Sequence, residues 1–121
     1  MYEVIFYEDI NGKSELYDEL MNLARLSRTN KDARIQLKQI TYCIDLLKNN
    51  GTKLPEKVSK HLKNDIYELR PGKNRIIYFY FRDNEYVLLH MFKKKTQKTP
   101  KGEIEEAERE RNDYVERNGG R

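Results

Sequence analysis

Arg70 and Arg75 flank the turn Pro71-Gly72-Lys73-Asn74, Glu68 stands two residues before the first of them, and a cationic run, Lys93-Lys94-Lys95-Thr96-Gln97-Lys98, comes later in the chain. Two arginines, a carboxylate and clustered lysines are the parts needed for metal-free cleavage of RNA. In that reaction the ribose 2′-hydroxyl attacks the adjacent phosphate. A base takes its proton, an acid protonates the departing 5′-oxygen, and cations stabilise the charge that builds on phosphorus. Arginine suits the last role, because its planar fork grips phosphate and stays charged. A lysine serves as base only where burial or neighbouring cations lower its pKa, and crowding Lys93, Lys94 and Lys95 works in that direction. Candidate catalytic residues are therefore Glu68, Arg70, Arg75, Lys94 and Lys95. Lys73, Lys93, Thr96 and Lys98 are candidates for holding an RNA backbone, and Tyr78 for stacking on a base. The same residues also fit a plainer reading, in which Glu68 pairs with an arginine and the lysines form a solvated loop.

These side chains lie in the second half of the chain, which reads as strands. Residues 65–70, 75–82 and 86–93 are rich in aromatic and branched residues and are separated by short polar turns, which predicts an antiparallel three-stranded meander. Alternation places Ile66, Glu68 and Arg70 on one face of the first strand. It places Arg75, Ile77, Phe79 and Phe81 on one face of the second, opposite Ile76, Tyr78, Tyr80 and Arg82. Alternation does not by itself bring the lysines onto the arginines. The last two strands are apolar on both faces, so both faces must be covered.

Residues 2–7 read as a further strand, expected at the edge of the meander. Leu16, Leu20, Leu23 and Ala24 recur at helical spacing from about Ser14 to Leu26. A second helix carries Ala33, Leu37, Ile40, Ile44 and Leu47 behind a capping box at Thr29-x-x-Asp32, and Gly51 stops it. The short link between them predicts an antiparallel helix pair. Thr99 as N-cap and Pro100 at the first helical position open a last helix, whose apolar face is meagre: Ile104, Ala107, Tyr114 and Val115. It is expected to dock weakly, as a solvated helix or an acidic lid beside a basic cleft, and residues 118–121 to fray. The fold class is α+β, a single domain over residues 1–121. It combines an antiparallel-rich sheet with the helix pair on one face and a C-terminal helix.

Charge and composition narrow the function. Of 121 residues, 37% are hydrophobic and 36% charged, so the core is thin and the surface densely charged. The net charge is +4, but residues 1–102 carry +7 and residues 103–121 carry −3, while the segment 53–101 alone carries +8. A basic body suits a polyanion, with nucleic acid the first candidate. No run is long and apolar enough to span a membrane, and the acids in MYEVIFYEDI, where a signal peptide needs a basic start, lead us to expect no secretion signal. A single cysteine, Cys43, fits the reducing cytosol and excludes an internal disulfide framework. Cys43 reads as a packing residue, His61 as solvated in a Lys-rich connector, and His90 as a hydrogen-bonded residue within an apolar strand. Neither histidine has a nearby carboxylate or histidine at ligand spacing in sequence, so no metal and no cofactor is expected.

The run from Tyr67 to Tyr114, YELRPGKNRIIYFYFRDNEYVLLHMFKKKTQKTPKGEIEEAERERNDY, resembles the RelE/HigB toxins of the RelE/ParE superfamily, and more narrowly their phage-derived HigB-like branch. The likeness is carried by YELR, by RIIYF, by LLH-x-F, and by KKTQKTP followed by E-I-x-x-A. It implies a compact sheet with two helices on one side and an RNA-binding cleft opposite. It further implies cleavage of messenger RNA on the translating ribosome, and neutralisation by a cognate antitoxin, commonly of the helix-turn-helix HigA-like kind. Arg75 then stands at the arginine that contacts the scissile phosphate, Arg70 at the arginine closing the preceding strand, and Lys94 and Lys95 near the late basic position. Glu68 departs from the pattern, since RelE itself has a basic residue there. The C-terminal tyrosine that RelE uses has no match, because Lys101 falls at about that place and Tyr114 lies too far along. Two other readings fit the same superfamily: a ParE-like inhibitor of DNA gyrase, and a non-catalytic RNA-binding module.

Overall fold

The computed structural model describes residues 1–120. Of the segment expected to fray, Arg121 lies outside them. The chain forms β1 (Glu3–Phe6), α1 (Glu15–Leu26), α2 (Lys31–Asn50), β2 (Ser59–Lys63), β3 (Ile66–Leu69), β4 (Asn74–Tyr80), β5 (Glu85–Lys93) and α3 (Lys101–Arg117). The strands make one five-stranded sheet in the order β1-β5-β4-β3-β2. β1 runs parallel to β5, and every other neighbouring pair is antiparallel. The α+β architecture and the meander are as the sequence predicts.

The local signals hold with small shifts. Ser14 caps α1, its side chain accepting from the Tyr17 amide. For α2 the cap is Asn30, not Thr29: its side chain accepts from the Ala33 amide at 2.9 Å, while Asp32 accepts from the Gln36 side chain at 2.6 Å. Gly51 ends α2 at φ +60, where a Cβ would sit 2.9 Å from the Tyr2 ring, so the left-handed backbone and the close approach both require glycine. The segment 59–63, expected as a connector, is the edge strand β2. Its sequence, Ser-Lys-His-Leu-Lys, is too polar to show apolar alternation, because an edge strand keeps only one side against the sheet and charged edge residues deter further pairing.

Each face of the sheet has its own core. Leu16, Ile40, Cys43, Ile44 and Leu47 of the helix pair pack on Leu69, Ile76, Tyr78, Tyr86 and Leu88. On the other face Ala107, Tyr114 and Val115 of α3 meet Ile66, Ile77, Phe79, Phe81, Val87 and Leu89. This two-sided burial is why β4 and β5 are apolar throughout. A β-bulge interrupts the β4–β5 ladder: Ile77 pairs with His90 but Tyr78 pairs with Leu88, leaving Leu89 as the extra residue. The bulge re-phases the end of β5. His90 and Phe92 now face α3, whereas Met91 and Lys93 face the helix pair.

Polar ties make up for the small apolar face of α3. The Arg111 guanidinium forks onto Asp65 from 3.0 to 3.1 Å, Tyr7 donates to Asp113 at 2.7 Å, and Lys63 pairs with Glu108 at 3.0 Å. The helix is thus docked against β1, the β2–β3 hairpin and β4, more firmly than its hydrophobic stripe predicts. Hydrogen bonds from Arg117 and Tyr7 hold the Asp113 carboxyl below its ordinary value. A depressed carboxylate contributes stability above its unfolded pKa of about 4 and loses it as pH falls through the lower folded value. Amide protection factors, which are corrected for the intrinsic exchange rate at each pH, should therefore fall in the last turns of α3 on acidification below about pH 4. Asp113→Asn should exchange faster already at pH 7 and lose most of that acid dependence. An unchanged profile in the variant would show that Asp113 does not hold the helix end.

Candidate nucleic-acid cleft

Because β4 is antiparallel to both neighbours, the end of β3, the start of β4 and the end of β5 lie together at one end of the sheet. That places Arg70, Arg75 and the lysine run side by side, which strand alternation alone leaves open. Glu68, Arg75, Phe92, Lys94, Lys95, Thr96, Gln97, Lys98, Thr99 and Pro100 line one small pocket there, on the α3 side of the sheet.

Glu68 is the centre of this arrangement, 1% exposed on the face of β3 that also carries Ile66. Its Oε2 lies 3.2 Å from Arg70 Nε and 4.0 Å from Arg75 Nε. Its Oε1 accepts a 2.7 Å hydrogen bond from Thr99 Oγ1. Arg75, 9% exposed, also donates through one terminal nitrogen to the carbonyls of Gly72 and Asn74, each at 2.8 Å. Burial pushes the Arg75 guanidinium below its ordinary value and Arg70 adds to this, while Glu68 opposes it. Starting from an arginine value, it remains a cation at neutral pH. Both oxygens of Glu68 are engaged, so the carboxylate fixes the two arginines and is poorly placed to take a proton. Two anchored guanidinium groups with Lys94 and Lys95 beside them can cradle a phosphate and stabilise added negative charge.

The remaining candidates divide. Lys73 is exposed at the same end, its carbonyl accepting from the Lys94 amide at 2.8 Å. Thr96 and Lys98 are exposed on the cleft loop, where Thr96 Oγ1 donates to the Lys98 carbonyl. Lys93 is not in the cleft: the bulge sends it to the helix-pair face, where its Nζ donates to Gln36 Oε1 at 2.6 Å. Tyr78 is not an RNA contact either. It is wholly buried in the helix-pair core, its hydroxyl sharing a 2.6 Å hydrogen bond with Ser59, and burial raises its pKa. Cys43 is buried there as well, and its thiol is pushed up by burial, which suits packing and not nucleophilic attack. His61 is exposed as expected, on β2, its Nε2 lying 2.6 Å from the Asn64 carbonyl.

Thr99 is the neighbour of Glu68 that the sequence hides. Read as the N-cap of α3, its hydroxyl would be used up at the helix start. In the structure Pro100 occupies the cap position without a side-chain hydrogen bond, and Thr99 turns to Glu68.

His90 also departs from expectation, although it is hydrogen-bonded and buried as predicted. Carboxylates distant in sequence close on it from α3: Glu110 Oε1 at 2.6 Å and Glu106 Oε2 at 3.4 Å from Nδ1, and Glu103 Oε1 at 3.0 Å from Nε2. The ligand atoms of His90, Glu106 and Glu110 lie within 4.8 Å of one another, a grouping that could hold a metal ion. Ligand spacing along the chain misses it, because the residues meet only once α3 crosses β5.

The buried ion pairs give a direct test. Glu68→Gln keeps the size and one acceptor but leaves Arg75 and Arg70 without a counter-charge. Removing one partner of a buried pair costs about 3 kcal/mol. Urea unfolding should show a loss of that order, and a change below about 1 kcal/mol would mean that solvent already balances the arginines.

A model of the family described as phage derived protein Gp49-like matches residues 23–112. No curated protein matches the chain by sequence. Among solved structures, the YoeB dimer from Staphylococcus aureus superposes with a TM-score of 0.51 at 15% identity, covering 78% of this chain and 97% of that one. A YoeB-YefM complex from the same organism matches with a TM-score of 0.51 at 16% identity over 79% of this chain and 99% of that one. A YoeB-YefM heterotetramer, described as a toxin-antitoxin complex, gives 0.51 at 15% identity over 79% and 98%. The fold is thus shared with YoeB, and no helix among the described residues is long and apolar enough to cross a membrane. With its model matched from Leu23 to Asn112, the chain belongs to the phage-derived Gp49-like protein family.

Proposed function

We propose that the protein is the toxin of a type II toxin–antitoxin pair, a metal-independent endoribonuclease that cleaves messenger RNA on the translating ribosome and so stops translation and growth. The observation that carries this reading is the arginine pair, Arg70 and Arg75, locked by the buried Glu68 at the foot of a lysine-lined cleft. Membership of a phage-derived family and the shared fold with YoeB, whose solved complexes include the partner YefM, support it.

In the proposed reaction Arg75 and Arg70 grip the scissile phosphate and take up the charge that grows on it during attack by the 2′-hydroxyl. The 2′-hydroxyl proton passes to water, Lys94 or Lys95 gives a proton to the 5′-oxygen as its bond to phosphorus breaks, and Lys73, Thr96 and Lys98 follow the backbone. Glu68 and Thr99 are positioning residues, since neither need touch the RNA. The partner is a cognate antitoxin of the helix-turn-helix, HigA-like kind, and the site of action is the cytoplasm.

The test is induced expression in a bacterium with primer extension on abundant transcripts. Wild type should arrest growth and create new 5′ ends inside translated codons. Arg75→Ala should lose cleavage by about a hundredfold or more, the scale of removing one preorganised donor, while circular dichroism shows the fold intact. Arg75→Lys should recover only part, because the charge returns without the fork. Growth arrest with intact transcripts and altered DNA supercoiling would overturn the nuclease in favour of a gyrase inhibitor.

A further inference from the structure

The most unusual cluster outside the cleft is the one around His90. Its imidazole is 5% exposed and comes from the bulged part of the central strand β5. Glu103, Glu106 and Glu110 are spaced three and four apart, so they share one face of α3. A neutral imidazole has one N–H, yet here both ring nitrogens meet carboxylate oxygens: Glu103 at Nε2, and Glu106 and Glu110 at Nδ1. Three carboxylates outnumber the single positive charge that the ring can carry. Glu15 and Glu19 of α1 add to the field, against Lys13 and Lys93. His90 and Glu110 are the inner members of the group, while Glu103 and Glu106 reach solvent, and the three carboxylates exceed the one positive charge the ring can carry, which leaves room for a cation at the solvent side.

We propose that His90, Glu106 and Glu110 bind one divalent transition-metal ion of the zinc class, which clamps α3 to the sheet. Glu103 is its outer partner: it accepts from Nε2–H, which fixes the tautomer and leaves the Nδ1 lone pair facing Glu106 and Glu110. This carboxylate–histidine–metal relay is the usual way a ligating imidazole is oriented. Zinc holds N and O ligands at about 2.0–2.2 Å, so tetrahedral neighbours stand about 3.3 Å apart. The Nδ1–Glu106 distance of 3.4 Å is already of that length, and Glu110, at 2.6 Å, must retreat. An independent feature supplies the open side: a cavity of about 230 Å³, bordered by Tyr7, Asp9, Lys13, Glu15 and Leu89, opens onto Glu106 and Glu110. It gives an entry path and room for a water in the fourth position. One imidazole with two carboxylates favours zinc, cobalt or nickel over calcium and magnesium, which prefer all-oxygen shells. None of these residues belongs to the arginine cleft, so the site stands or falls apart from the proposed cleavage.

The experiment uses the full chain, stripped with EDTA, desalted and titrated with Co²⁺, then with Zn²⁺ as competitor. One equivalent of Co²⁺ should give a saturable visible d–d band that Zn²⁺ abolishes, and Tm should rise with metal concentration. Glu106→Gln and Glu110→Gln should each weaken binding at least tenfold, and Glu103→Gln by about 10–100-fold. Glu105→Gln on the solvent side of α3, His61→Ala and Cys43→Ser should leave the band and affinity unchanged. Cooperative unfolding of each metal-free variant checks that a lost band is a lost site. No saturable band in the wild type overturns the proposal, and His90 is then balanced by a proton alone. A band that persists equally in Glu106→Gln and Glu110→Gln overturns it as well, by placing the metal elsewhere.

Discussion

A carboxylate 1% exposed sets the terms for the basic end of this molecule. Taking Glu68 out of water costs several kcal/mol unless opposite charge and hydrogen bonds replace the lost hydration. Arg70, Arg75 and Thr99 supply that replacement, and they come from the end of β3, the start of β4 and the lead into α3. The constraint works in both directions. Two guanidinium groups sharing one oxygen would repel each other without the carboxylate between them. Glu68 thus permits a concentration of positive charge that the hairpin would not otherwise tolerate. Having neutralised only one of the two arginines, it leaves the site cationic before Lys94 and Lys95 are added.

The two faces of the sheet are held by different physics. The helix pair seals its face with Leu16, Ile40, Ile44 and Leu47, all buried or nearly so, and such burial is little affected by salt. Against the other face α3 brings one fully buried side chain, Ala107, and relies on ion pairs and hydrogen bonds from Arg111, Asp113, Glu108 and the Glu103–Glu106–Glu110 row. Charged ties of this kind weaken as ionic strength rises. Through Pro100 and Thr99 the same helix is continuous with the hydroxyl on Glu68, so the more salt-sensitive half of the packing is the half joined to the cleft.

Strand faces were readable where the ladder is regular. Alternation correctly sets Glu68 and Arg70 with Ile66, and Arg75 with Ile77, Phe79 and Phe81. It also sets Tyr78 opposite Arg75, so the burial of Tyr78 among the helix-pair residues was legible, and its aromatic character misled. The bulge at Leu89 was not legible, because nothing in YVLLHMF marks an extra residue. Everything beyond it changes face: Lys93 leaves the cleft and His90 enters the α3 side. The edge strand β2 escaped notice because its polar residues satisfy an edge and so lack the apolar rhythm of a central strand. The acidic row of α3 looked like a solvated face, since its partner is a single imidazole 13 or more residues away.

The geometry also bears on where catalytic power can come from under the proposed function. Glu68 accepts from Thr99 on one oxygen and faces the arginines with the other, so using it as a base would first break the charge balance that holds Arg75 in place. Among the described residues no tyrosine lines the pocket with Glu68 and Arg75, and Lys94 and Lys95 stand on its exposed wall. What is built in is a set of preorganised cations for a phosphate, which lowers the barrier by electrostatics, and under the proposed function a lysine proton is needed only at the departing oxygen. The remaining requirement is alignment of the 2′-hydroxyl with the scissile phosphate, and in-line geometry is worth as much as a well-placed base. A surface that grips RNA only by its backbone imposes no such alignment. Under the proposed function, the burden of orientation then falls on whatever already holds the messenger in extended form.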